Sequence, residues 1–176
     1  MSACFLQLTM TYFLTFSCYG ARLHGDESGS VDPQHRIPGH RLLEPNRARV
    51  LSEQNRMSQV PYVMDELRRA LVLDAILEHC EYRAWSLLTV HVRSNHVHVV
   101  VDAEPAPEKV MNELKAYASR KLNRAGLDGL DRRRWARHGS TRYLWSREQV
   151  ESTIAYVAEG QGEGMAVYVN DNDDTW

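Results

Sequence analysis

The sequence predicts an α+β fold: an antiparallel sheet with helices on one face and one helix left over. Three observations predict it. Period-two alternation marks strands at residues 9–18 and 96–102, and "AWSLLTVHV" at 84–92 reads as a strand between them. Apolar spacing of helical period marks segments at 60–82 and from Pro107 to Leu122. A short strand and a last helix then follow near the C-terminus. In chain order this is β-α-β-β-α-β-α, and the first six elements form the split, ferredoxin-like arrangement with four antiparallel strands.

In the first strand Met10, Tyr12, Leu14, Phe16 and Cys18 share one face. Thr9, Thr11, Thr15 and Ser17 share the other, where Phe13 is the exception. Residues 20–58 are rich in Gly, Pro, Asp and Arg and lack a sustained period, which predicts a long loop. Its His24, Asp26, Asp32, His35 and His40 match no metal-ligand spacing and read as polar loop residues. Val60, Val63, Met64, Leu67 and Leu71 give the first helix its stripe, with Pro61 in its first turn. The link "RSN" joins the second and third strands as a hairpin. Val110, Met111, Leu114, Ala118 and Leu122 form the core stripe of the second helix, which "RAGLDGL" ends. A short strand is expected at Thr141–Trp145. The last helix has Ser146 as N-cap, Glu148 in its first turn and Gly160 as its stop. A strand at "MAVYV" is the regular element expected beyond Gly164.

At 176 residues, one domain is expected over 1–165, carrying the 20–58 insert and followed by an acidic tail at 166–176. Hydrophobic content of 43% and charged content of 25% are those of an ordinary globular protein. No apolar run approaches the ~18 residues of a membrane span. The apolar N-terminus lacks a basic leader and alternates with threonine, so it reads as a strand. Cys4, Cys18 and Cys80 are odd in number and far apart, which predicts reduced thiols in an intracellular protein.

Net charge is −2, but it is unevenly spread. Lys109 to Arg147 holds eleven Lys or Arg against three Asp or Glu, whereas Glu148 to Trp176 holds seven acids and no Lys or Arg. A basic surface for a polyanion follows from the first segment. Trp135, Tyr143 and Trp145 interleave with its arginines, a composition suited to phosphate contact and base stacking.

The third strand reads "HVHVVVD". Alternation puts Val97, Val99 and Val101 on one face, and His96, His98 and Val100 on the other. The valines seat the helices. The histidines then point to the open face with Cα atoms ~7 Å apart, and two such imidazoles can converge on one divalent metal. His-x-His alone is a weak signal, since two strand histidines also occur without function. Val100 excludes a histidine-triad site, and "VVVDAEP" lacks the ligands of a metallo-β-lactamase-like one. His91 lies on the preceding strand as a structural residue or a flank of that face.

Asn-His-Val-His on the third strand of such a sheet, with a tyrosine on a late helix, resembles the HUH motif (histidine, hydrophobic, histidine) of the single-tyrosine transposases. The resemblance is to the REP-associated tyrosine transposases and the insertion-sequence 200-like transposases. It covers residues 8–19 and 60 to about 162. It implies metal-dependent cutting and joining of single-stranded DNA, hairpin-bearing or palindromic. His96 and His98 would hold Mg²⁺ or Mn²⁺, which polarises the scissile phosphate. Tyr156 would attack phosphorus, leaving a 5′-phosphotyrosine and a free 3′-OH. Of eight tyrosines, Tyr156 is the one on the helix left over, off its Val150, Ile154, Val157 stripe. Tyr143 is the reserve.

The insertion-sequence relatives carry a glutamine four residues after the tyrosine as a third metal ligand. Gly160 stands there in this chain, so Gln161 is the expected third ligand, with Glu159 as the alternative. The Asn-Pro pair that follows the tyrosine in REP-associated relatives is absent. Asn95 orients a histidine, touches phosphate or simply makes a turn. Lys115, Arg120, Lys121, Arg124, Arg132, Arg133, Arg134 and Arg142 are expected to line the DNA path. The expected location is the cytoplasm, on the nucleoid. The working unit is a homodimer, with the tyrosine helix supplied in trans, or a monomer. Two other readings remain: a domesticated module that binds single-stranded DNA or RNA without chemistry, and a metal hydrolase of small phosphoesters.

Overall fold

A computed structural model describes residues 9–21, 52 and 55–170. The loop histidines and aspartates, Cys4 and the end of the acidic tail lie outside the described residues. The chain runs β1 (Met10–Cys18), α1 (Glu66–Arg83), β2 (Ser86–Val92), β3 (His96–Ala103), α2 (Pro107–Arg124), β4 (Trp135–Leu144), α3 (Arg147–Ala158) and β5 (Ala166–Val169). The strands form one sheet in the order β4-β1-β3-β2-β5, and every recorded pairing is antiparallel. The expected α+β class is observed. "AVYV" adds a fifth strand against β2, so residues up to Val169 belong to the sheet.

Alternation gives this sheet two different faces. Tyr12, Leu14 and Phe16 of β1 and Val97, Val99 and Val101 of β3 pack under α1 and α2. Val72, Ala75, Ile76 and Cys80 of α1 meet Val110, Leu114, Ala118 and Leu122 of α2 in the same core. Removing these side chains from water is the main term holding the layers together. On the other face a smaller cluster joins Leu88 and Val100 to Leu144, Val150 and Val157, with Phe13 and Ile154 alongside. A register shift between Leu87 and Thr89 turns Leu88 to that side. Helix α3 therefore covers the face that α1 and α2 leave bare.

Two boundaries differ from expectation. Helix α1 starts at Glu66, not near residue 60, because the Asp65 side chain accepts from the Arg68 amide and caps it there. Before the cap burial alternates: Tyr62 and Met64 are buried and Val60 and Val63 exposed, and Leu67, in the first turn of α1, is exposed too. A period-two segment had imitated a helical stripe. Strand β4 also starts earlier, at Trp135, because a β-bulge between Phe16 and Cys18 carries its pairing with β1 past Gly139. A β-carbon on Gly139 would sit 2.5 Å from both the Thr15 carbonyl oxygen and Met111 Sδ, so no larger residue fits. Among the described residues, no helix is long and apolar enough to cross a membrane.

Candidate active site

The site is built on one row of the sheet. Ser140, Thr15, His98, His91 and Val167 pair in succession across β4, β1, β3, β2 and β5, so their side chains share the α3 face. His96 lies two residues from His98 on that face, and the two rings are 4.7 Å apart between centroids. His98 is buried and His96 half-buried.

Each imidazole is held through Nδ1. Asn95 Oδ1 lies 2.7 Å from His96 Nδ1, and Thr15 Oγ1 lies 2.8 Å from His98 Nδ1. A carbonyl oxygen can only accept, so His96 Nδ1 donates to Asn95, and Nε2 is the nitrogen turned away from it. Imidazoles oriented through the nitrogen that does not bind metal are the usual support of a metal ligand. Two of the donors fit a divalent ion. Among the described residues, no group of three or more His, Cys, Asp or Glu is gathered. Asp102 shares the histidine face but lies four residues beyond His98, ~13 Å along the strand.

Phe13, the misfit of the β1 pattern, is the floor of the site. Its ring stacks on His98 at 5.5 Å and meets Tyr156 edge-on at 6.3 Å. Tyr156 stands 6.0 Å from the His98 ring and is 48% exposed, so it reaches both the histidines and solvent. The Arg142 guanidinium lies over Phe13 at 5.4 Å and donates to Thr153 Oγ1 of α3 at 3.1 Å. Helix α3 begins at the expected cap, where Ser146 Oγ accepts from the Gln149 amide. It ends at Ala158, with Glu159 as its C-cap. A β-carbon on Gly160 would sit 2.8 Å from the Tyr156 carbonyl oxygen and 3.1 Å from Tyr156 Cδ2. Position 160 thus closes against the tyrosine, which leaves Glu159 and Gln161 as the polar side chains on either side of it.

Tyr143 faces the other way. It packs edge-on against buried Tyr12 and stacks on Trp145 at 5.2 Å with 10° between planes. That places it across the sheet from the histidines.

The basic residues divide by environment. Arg134 is buried against Asp128, and Arg132 donates to Gln59 Oε1 and to the Val60 and Pro61 carbonyls. Lys115 is buried too. Its Nζ donates to the Ala136 and His138 carbonyls, tying α2 to β4, and burial pushes its pKa down. Lys121 pairs with Glu78 at 2.6 Å. Arg120 lies over Tyr117 at 4.5 Å. Lys115, Arg120, Lys121 and Arg124 all stand on α2, on the side of the sheet opposite the histidines. Arg133 is exposed, 5.9 Å over Tyr19. Arg142 is the member of the expected set that packs on Phe13, the ring that Tyr156 also meets. Sequence reasoning missed Thr15 and Phe13. The signal for both was the cross-strand register of β1 against β3, which one strand's pattern does not contain.

Comparison with curated proteins finds no match. Among solved structures, a REP-associated tyrosine transposase bound to a REP hairpin aligns with 85% of this chain at 13% identity and a TM-score of 0.45. This chain spans 64% of the length of that protein. A candidate transposase from Deinococcus radiodurans R1 aligns over 92% of this chain and 96% of its own, at 12% identity and a TM-score of 0.45. The sequence model of the IS200-like transposases matches residues 50–159, a span that contains the histidine pair, Arg142 and Tyr156. Matched over more than half its length, the chain belongs to the IS200-like transposase family.

Proposed function

We propose that this protein cuts and rejoins single-stranded DNA through a 5′-phosphotyrosine formed on Tyr156, at a site where His96, His98 and Gln161 hold Mg²⁺ or Mn²⁺. One observation carries the reading: Tyr156 stands 6.0 Å from the His98 ring with the Arg142 guanidinium nearby over Phe13. Tyr156, the two imidazoles and a positive charge thus share one face of the sheet, which supports the reading.

In the forward step the Tyr156 oxygen bonds to phosphorus and the bond to the 3′ oxygen breaks. The phenol gives up its proton and the leaving 3′ oxygen gains one. Rejoining reverses both changes with the 3′-OH of the strand that is joined. A bound metal would supply Lewis-acid polarisation of the phosphate. The protein's own groups do the rest. Asn95 and Thr15 fix the imidazoles. Phe13 and His98, stacked on each other, both pack against the tyrosine ring. Arg142 faces the charge that builds on the phosphate. The substrate would be a DNA hairpin with an unpaired flank. The cis placement of Tyr156 favours a monomer able to act alone.

The test is a nicking assay on a hairpin-bearing single strand with Mn²⁺. Wild type should give a covalent protein–DNA adduct that Tyr156→Phe cannot form. An adduct with Tyr156→Phe would overturn the assignment. A second reading is binding without chemistry. It predicts binding that survives His96→Ala, and no cleavage at any Mn²⁺ concentration.

A further inference from the structure

His91 is a histidine that this chemistry does not use, and it is fully buried. It pairs with His98 in the β2–β3 register and so faces α3. Both its ring nitrogens are engaged. Nδ1 lies 2.9 Å from the Val157 carbonyl oxygen, and the Met165 amide donates to Nε2 at 3.3 Å. A carbonyl can only accept and an amide N–H can only donate. The ring is therefore neutral, with its proton on Nδ1.

The two partners bracket one piece of chain. Val157 follows Tyr156 directly, and Met165 closes the turn that holds Glu159 and Gln161. The Val157 carbonyl is among the last four of α3, for which no N–H donor is left inside the helix. No basic residue of the last turn serves them. His91 reaches from the sheet to take that role, and Arg93 of the same β2 end donates to the Glu163 carbonyl at 2.9 Å. At this end the Glu159 and Gly160 amides serve the Ala155 and Tyr156 carbonyls, and buried Val157 packs against the sheet. Helix α3 has 12 residues, of which Val150, Thr153 and Val157 are buried. A helix of that length is marginal without tertiary support.

We propose that His91 is a positioning residue that latches the Tyr156 helix and its following turn to the sheet, setting the nucleophile's distance from His96 and His98. The idea rests on Tyr156 being the nucleophile. A misplacement of about 1 Å at a reacting group costs on the order of 10²-fold in rate, so the latch belongs to the reaction and not only to the fold.

The test compares full-length wild type, His91→Leu and His91→Asn. The Asn amide nitrogen reproduces the donor to Val157. Three quantities are read: single-turnover adduct formation on a hairpin oligonucleotide with Mn²⁺, Mn²⁺ affinity, and amide hydrogen exchange over residues 157–165. His91→Leu should slow adduct formation ~10- to 100-fold and speed exchange in that segment, with Mn²⁺ affinity held within ~3-fold. His91→Asn should recover most of both losses. Wild-type rate and exchange in His91→Leu would overturn the proposal, and so would a loss that Asn does not rescue. Ring nitrogen resonances of the wild type test it without any variant: Nδ1 protonated and Nε2 bare is expected, and the opposite tautomer sinks it. If wild type forms no adduct, the nucleophile reading fails, and the exchange comparison alone then decides whether His91 holds the helix.

Discussion

The two faces of this sheet are made from the same strands and obey opposite rules. On the α1–α2 side, β1 and β3 present Leu14, Phe16, Val97, Val99 and Val101, all buried among apolar neighbours. On the α3 side the same strands present Phe13, Thr15, His96 and His98, tied by hydrogen bonds and ring contacts. The first face is non-directional: any apolar group of suitable volume stabilises it. The second depends on which nitrogen faces which oxygen. A single strand supplies both because its side chains alternate. Fold and chemistry are thus separable residue by residue.

The sharpest way to break that separation is a pair of substitutions three residues apart on β3. His96→Ala should reduce metal-dependent adduct formation by ~10³-fold or more while changing unfolding free energy by less than ~1 kcal/mol. Val99→Ala should cost about 2 to 3 kcal/mol in urea unfolding, from lost burial plus the cavity left behind, and leave the adduct rate intact below its melting temperature. Equal losses of stability and activity in both variants would show that the faces are coupled.

Much of this layout was legible in the chain. The β3 alternation, the Ser146 cap and the position of Tyr156 off the buried stripe of α3 are local patterns, and local patterns are what one sequence records. What failed was non-local. Val60, Val63 and Leu67 match a helical spacing yet are exposed, because Asp65 caps α1 later and the preceding chain packs by Tyr62 and Met64. The basic segment read as one surface, but whether an arginine is a phosphate contact or a buried tie depends on who sits opposite. Arg134 meets Asp128, and Arg142 meets Phe13 and Thr153. Phe13 looked like an error of alternation until the register with β3 put it against His98.

Asp128 tests the packed side at its most directional point. Burial by itself raises the Asp128 pKa. Hydrogen bonds from Arg68, Tyr62 and Arg134 outweigh that effect, and the carboxyl ends below its usual range. A lowered folded-state pKa means stability that is complete above the unfolded value of ~4 and is lost as pH falls through the folded one. Asp128→Asn should cost about 3 kcal/mol near neutral pH, because Arg134 is left buried without its charge partner. Urea titrations at a series of pH values check both parts. The variant should also lose the steep fall in stability that wild type shows below pH ~4. An unchanged acid limb would mean that Asp128 is not the group responsible.

The smallest effect sharpens the contrast from the inert side. Cys18 and Cys80 both point into the α1–α2 core and are free thiols. Burial pushes each pKa up to about 12, against a slight lowering of Cys18 by Arg132. Only the thiolate is nucleophilic, so at pH 8 each holds ~10³-fold less reactive form than a free cysteine of pKa ~8.5. Native protein treated with iodoacetamide should show neither residue alkylated in its peptide mass spectrum, with adduct formation on Tyr156 unaffected. In guanidinium both should react. Labelling of either thiol in the native state at the unfolded rate would mean that the valine face opens as readily as the histidine face. The two sides of the sheet would then not differ in the way their side chains require.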